Sequence, residues 1–209
     1  MALKANKTIL IVGASGATGR LLTEELLDRG QCVKVIVRTP DKLPAALRNH
    51  DNLSVIHASI LDLSDAELAR HVKGCDAVAS CLGHTMDLKG LYGPPRKLVT
   101  DACRRLSDAI KTNAPEKPVR FVLMNTAGNS NRDLNEPISA AQKFIVGLLR
   151  LLLPPHADNE QAADYLRSTL GPNNGLIEWV VVRPDSLIDV GQVTAYELHP
   201  SPTRSAQES

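Results

Sequence analysis

The chain has 209 residues, with 24 basic and 23 acidic side chains, a net charge of +1, 43% hydrophobic residues and 3% aromatic ones. That length suits one α/β domain with a substantial core, and the balanced charge favours neither nucleic acid nor an anionic membrane as a partner. The core must be aliphatic, which also disfavours an aromatic platform for stacking nucleic-acid bases.

The N-terminal MALKANKTIL has no signal-peptide pattern, and no apolar run approaches the ~20 residues of a membrane span, so a cytosolic protein without a membrane span is expected. Residues 9–12 are continuously apolar, as in a strand buried on both faces. The strand runs straight into GASGATG. Gly13 allows a tight turn, Gly16 lets the backbone approach a pyrophosphate, and Gly19 permits close packing of helix on sheet. Ser15, Ala17 and Thr18 are small and keep the surface open, so the pattern points to phosphates held at the positive end of a helix running over residues 17–28.

Val- and Ile-rich runs recur at residues 33–37, 53–56, 77–81, 119–124 and 179–182 with helical stretches between them. This alternation predicts a single doubly wound α/β domain of Rossmann type over residues 1–198. Its parallel sheet is ordered 3-2-1-4-5-6, and residues 199–209 form a polar tail. Arg38 and Thr39 follow the second strand, where an acid would suit a free ribose 2′-hydroxyl and a guanidinium suits a 2′-phosphate, which argues for NADP(H) over NAD(H). After the third strand, Ser59, Ile60, Leu61, Asp62 and Leu63 stand where a loop can meet adenine; Asp62 reads either as an acceptor for its amino group or as a helix-entry acid. Ser64 and Glu67 have capping-box spacing. The fourth strand leads into Cys81, Leu82 and Gly83, beside the ribose, and then His84, which reads as a solvated loop histidine more readily than as a catalytic one.

A helix is expected from the Pro94–Pro95 pair to about Asn113, and another over residues 159–170. Between them, residues 144–153 are almost wholly apolar, suggesting a core or interface helix before a membrane anchor. Cys32, Cys75, Cys81 and Cys103 lack metal-site or disulfide-framework spacing, so reduced, mostly buried thiols and no metal are expected.

GASGATG at 13–19, Arg38, Leu61–Asp62, the run Asn125-Thr126-Ala127-Gly128 and VVVRP at 180–184 resemble the atypical short-chain dehydrogenase/reductases. The similarity is to their NmrA-like, NAD(P)H-binding branch, which includes flavin- and biliverdin-type reductases, and it spans about residues 7–198. It implies that Gly83 and Thr126 flank the ribose and nicotinamide, that Pro184 shapes the nicotinamide pocket, and that Thr126 polarises a small acceptor. Carbonyl-reducing members use a Tyr and a Lys four residues apart; here the corresponding places fall near His156 and Glu160, while Tyr165 is followed by Thr169. His156 is therefore the candidate proton donor, or else simply begins its helix, and Asp158, Asn159, Glu160 and Asp164 are a candidate polar lining for the substrate pocket.

The implied activity is hydride transfer to a small carbonyl, enone, quinone or flavin-type acceptor, with a non-catalytic NADP(H)-binding regulator as the alternative. A sugar-nucleotide epimerase or dehydratase fits less well, because little chain follows the last strand. Relatives continue beyond a strand corresponding to residues 193–198 into a covering helix, so an uncovered apolar patch that favours a homo-oligomer is expected. Arg38→Ala should weaken NADP(H) binding by ~1–3 kcal/mol in calorimetry while sparing NAD(H). Equal loss for both refutes the 2′-phosphate role.

Overall fold

The computed structural model describes residues 6–85, 87–126, 128–129, 133, 147–148, 152–184, 187 and 193–200. Six parallel strands form one sheet in the order β3-β2-β1-β4-β5-β6. They are β1 (Thr8–Val12), β2 (Cys32–Val37), β3 (Leu53–His57), β4 (Ala77–Ser80), β5 (Val119–Met124) and β6 (Ile177–Val182). Each lies within two residues of its expected place. A strand in the middle of such a sheet must be apolar on both faces, and β1 is: Leu10 and Val12 enter one core, Ile9 and Ile11 the other.

The α-helices that lie wholly within the described residues are α1 (Ala17–Asp28), α2 (Ala45–Arg48), α3 (Asp65–Val72), α4 (Leu88–Tyr92), α5 (Leu98–Asn113) and α6 (Pro154–Asp164). The last continues as a π-helical turn, Tyr165–Leu170. Leu27 of α1 packs on one face of the sheet with Leu43 and Leu47. On the other face α3, α5 and α6 bring Leu68, Leu106, Ile110 and Ala162 against Val78, Phe121 and Ile177. The first turn of α3 carries the capping box in full: Ser64 N donates to Glu67 Oε2 at 2.8 Å, and Glu67 N donates to Ser64 Oγ at 3.3 Å. Hydrogen bonds from Ser64 to its carboxylate hold Glu67 below the usual carboxylate range.

Two expectations change. The helix expected from residue 159 begins at Pro154, because proline at the first helical positions loses no intrahelical bond, and this places His156 and Asp158 inside α6. Residues 193–199 form no strand; Val193, Tyr196 and Leu198 are exposed, and among the described residues the sheet ends at β6. On the α1 side of that edge Val180 and Val182 are 50% and 41% exposed. Of the apolar stretch 144–153, only residues 147–148 and 152–153 are described, so its role lies outside the described residues, as do Ala127 and tail residues 201–209. No described helix is long and apolar enough to cross a membrane.

Candidate dinucleotide site

β1 delivers the chain to Gly13 at φ +82, a conformation open to glycine. A Cβ there would fall on the Cys81 carbonyl and lie 2.8 Å from the Leu82 amide nitrogen, so the turn is pressed against the segment leaving β4. Gly19 is constrained from the other side: its Cβ would stand 2.8 Å from the Gly13 carbonyl carbon and 2.9 Å from the Ala14 Cα. Gly16 differs, since a Cβ there would meet only the Gly13 oxygen, at 3.4 Å. Its amide closes the turn on that oxygen at 3.1 Å, and its outer surface is open.

Gly16 is also the N-cap of α1, without a side-chain cap, and the first turn of α1 holds no acid. The free amides of that turn and the helix dipole therefore make an anion-receptive end. Beside it lies a cavity of about 390 Å³ that brings together Gly13, Ser15, Arg38, Leu61, Asp62 and Leu82, six residues singled out from sequence. Ser59, from the loop expected to meet adenine, lines it too, and Pro94, Pro95 and Leu98, from the segment that enters α5, were not anticipated. Ala17, Thr18 and Gly19 form the adjoining helix end. Thr39 instead caps the short turn Pro40–Lys42. Asp41, the nearest acid after β2, is held by Arg48 at 2.6 Å, and among the described residues Arg38 has no ion-pair partner.

Burial pushes the Cys81 thiol up to about 11, so it is a poor nucleophile, and all four cysteines are free. A Cβ on Gly83 would meet no atom within 4 Å, leaving that side of the loop open.

The second half of the site stands at the carboxyl end of β5. Thr126 is exposed; its Oγ1 and the His156 Cε1 both lie 3.4 Å from the place a Cβ on Gly128 would take. His156 Nε2 is buried without a hydrogen-bond partner and stands 3.7 Å from Glu160 Oε1. The supporting turn is tied by Asn125, whose Nδ2 donates to the Asn159 carbonyl at 2.9 Å and whose Oδ1 accepts from Thr126 N at 2.8 Å and from Asn129 Nδ2. Arg183 Nη1 donates to the Asn129 carbonyl at 2.7 Å, which brings the neighbouring Pro184 to this turn. Tyr165 is remote in role: it packs on the core and burial raises its phenol.

His84 and Asp158 correct the sequence reading. The His84 side chain is 6% exposed and that of Asp158 is 0% exposed, with Nε2 and Oδ2 2.8 Å apart. His84 donates to a carboxylate that also accepts Val99 N at 2.8 Å and Thr100 N at 3.0 Å. Asp158 thus caps α5 from α6 and does not line a pocket. Neither residue type signals this, because the partners are 74 positions apart.

An open glycine turn at the end of β1, an anion-receptive helix end and a cavity across the carboxyl edge of the sheet define a dinucleotide-binding protein of the doubly wound class. A family model described as NAD(P)H-binding matches residues 13–209, and the chain belongs to that family. Among known proteins it is 25% identical over 181 residues to an uncharacterized chloroplastic protein of Arabidopsis thaliana, covering 87% of this chain and 59% of that relative's length. The fold is shared with an oxidoreductase from Lactococcus lactis (TM-score 0.61, 19% identity, 88% of this chain and 71% of that one). It is likewise shared with a short-chain dehydrogenase/reductase from Veillonella parvula in complex with NADP (0.59, 19%, 85% and 68%). An enzyme from Bordetella bronchiseptica in complex with NAD+ is similar as well (0.59, 23%, 85% and 56%).

Gly19→Ala should lower the thermal midpoint of the ligand-free protein, since backbone must move to admit the methyl group, whereas Gly16→Ala should leave it close to wild type; differential scanning calorimetry separates them. Asp158→Asn turns one acceptor oxygen into a donor facing buried N–H groups. It should cost about 3 kcal/mol in urea unfolding.

Proposed function

We propose that the protein is an NADP(H)-dependent oxidoreductase acting on a small carbonyl, quinone or flavin-type acceptor. The observation that carries this reading is the pairing of two features across the carboxyl edge of the sheet: the open, uncapped glycine turn beside Arg38, and the buried, unpartnered His156 Nε2 beside Thr126. The cofactor fits the residues present. The Gly13–Gly19 turn and the first amides of α1 would hold the pyrophosphate, and Arg38, unopposed now that Arg48 holds Asp41, would take the 2′-phosphate. Leu61, Asp62 and Leu82 would enclose the adenosine; Thr39 and Cys81 are not among the residues that line the cavity. Gly83, Thr126 and Pro184 would border the ribose and nicotinamide.

When bound, the cofactor supplies the hydride. Thr126 Oγ1 would hydrogen-bond an acceptor oxygen and His156 would give it a proton, with Glu160 Oε1 3.7 Å from the His156 Nε2. The four free thiols fit the expected cytosolic setting. The regulator reading draws on one observation of its own: a glutamate and not a lysine accompanies His156, while Tyr165 is packed on the core.

An NADPH-oxidation assay with a carbonyl, quinone and flavin panel should show turnover that His156→Ala lowers about 10²-fold in kcat without changing the NADP(H) Kd. Tight NADP(H) binding with no turnover on any acceptor class would sink the enzyme reading and leave the regulator.

A further inference from the structure

The wall facing the proposed adenosine position is a loop, residues 58–63, seated on the core by the buried Ile60, with Ala58, Leu61 and Leu63 packed against the same core. Five of its residues, Ala58 to Asp62, line the cavity. Internally the loop is closed only by Asp62 N and Leu63 N, which donate to the Ser59 carbonyl at 3.0 and 3.3 Å, and by Leu61 N on Ser59 Oγ at 3.4 Å. Its outward carbonyls are taken by a side chain from another element. Arg105, in the middle of α5, donates through Nη1 to the Ile60 carbonyl at 2.6 Å and through Nη2 to the Leu63 carbonyl. The two acceptors flank Leu61 and Asp62.

Arg105 also meets Asp65 at 3.1 Å, but Asp65 is 97% exposed and the Arg105 side chain 15% exposed. An ion pair with one partner in open water contributes little. The carbonyl bonds, made by a half-sheltered guanidinium with donors in a fixed fork, are the strong part. A lysine has the charge and the stem but not the fork. α5 is itself held at its first turn by Asp158, and Leu98, at the start of α5, lines the same cavity. One helix therefore supplies both a wall of the cavity and the brace of the opposite loop.

We propose that Arg105 is a positioning residue for the adenosine half of the dinucleotide, holding Leu61 and Asp62 at the distance a bound adenine requires. This rests on the cofactor reading above. It touches no ligand itself; it acts through the loop.

The test uses the full chain and calorimetric titration with three probes: NADP+, 2′,5′-ADP for the adenosine half, and reduced nicotinamide mononucleotide for the other half. Arg105→Lys, which keeps stem and charge and so preserves the fold, should weaken NADP+ and 2′,5′-ADP by roughly tenfold or more while leaving the mononucleotide unchanged. Arg105→Met should do the same, and Asp65→Asn, which removes only the exposed partner, should change none of the three. Amide hydrogen exchange at residues 59–63 should quicken in Arg105→Lys and not in Asp65→Asn. Unaltered 2′,5′-ADP affinity, or equal loss of both halves in step with a lowered thermal midpoint, overturns the proposal. A wild-type chain that binds none of the probes removes the cofactor reading and this inference with it, an outcome distinct from the other two.

Discussion

The turn after β1 is held between two pieces of backbone, and that constraint orders the site around it. Gly13 lies against the Cys81–Leu82 peptide on one side, and on the other Gly19 brings α1 onto Gly13 and Ala14. No side chain fits at either contact. The strand end, the β4 exit and the helix start are consequently locked at backbone distance, and the amides of α1 open at a fixed place relative to Arg38 at the end of β2. Interiors packed this closely do not deform gradually, so the cavity is formed before any ligand arrives.

The rest of the site is held by polar groups drawn out of water. Asp158 is the most demanding of them, a fully buried carboxylate that accepts from His84, Val99 and Thr100. A lone buried charge would be strongly unfavourable, but three donors, two of them at the positive end of α5, offset the lost hydration. That arrangement joins the β4 loop, α5 and α6. Since α6 carries His156, the His156 side of the site is registered to the β4 loop beside the glycine turn through this carboxylate. The exposed pairs on α1, Arg20 with Glu24 and Arg29 with Glu25, contribute far less, because water screens them.

Much of the framework was legible from residues alone. Continuous apolar runs marked strands buried on both faces, the glycine spacing marked the turn, and Ser64 with Glu67 marked the start of α3; each is a local pattern with a local cause. The failures were local rules overruled by context. The helix expected from residue 159 opens instead at Pro154, where the missing amide hydrogens are no loss. His84 looks like a loop histidine until α6 sets Asp158 beside it.

The sequence by itself determined the sheet, its strand order and the position of the phosphate-receptive turn, because strand periodicity and glycine stereochemistry act over a few neighbouring residues. Tertiary structure alone decided which side chains became partners: Asp158 with the α5 amides and His84, and Arg105 with the carbonyls of Ile60 and Leu63. Those pairings span tens of residues and depend on how α5 and α6 seat on the sheet. A buried polar group finds its partner only once packing has excluded water from both.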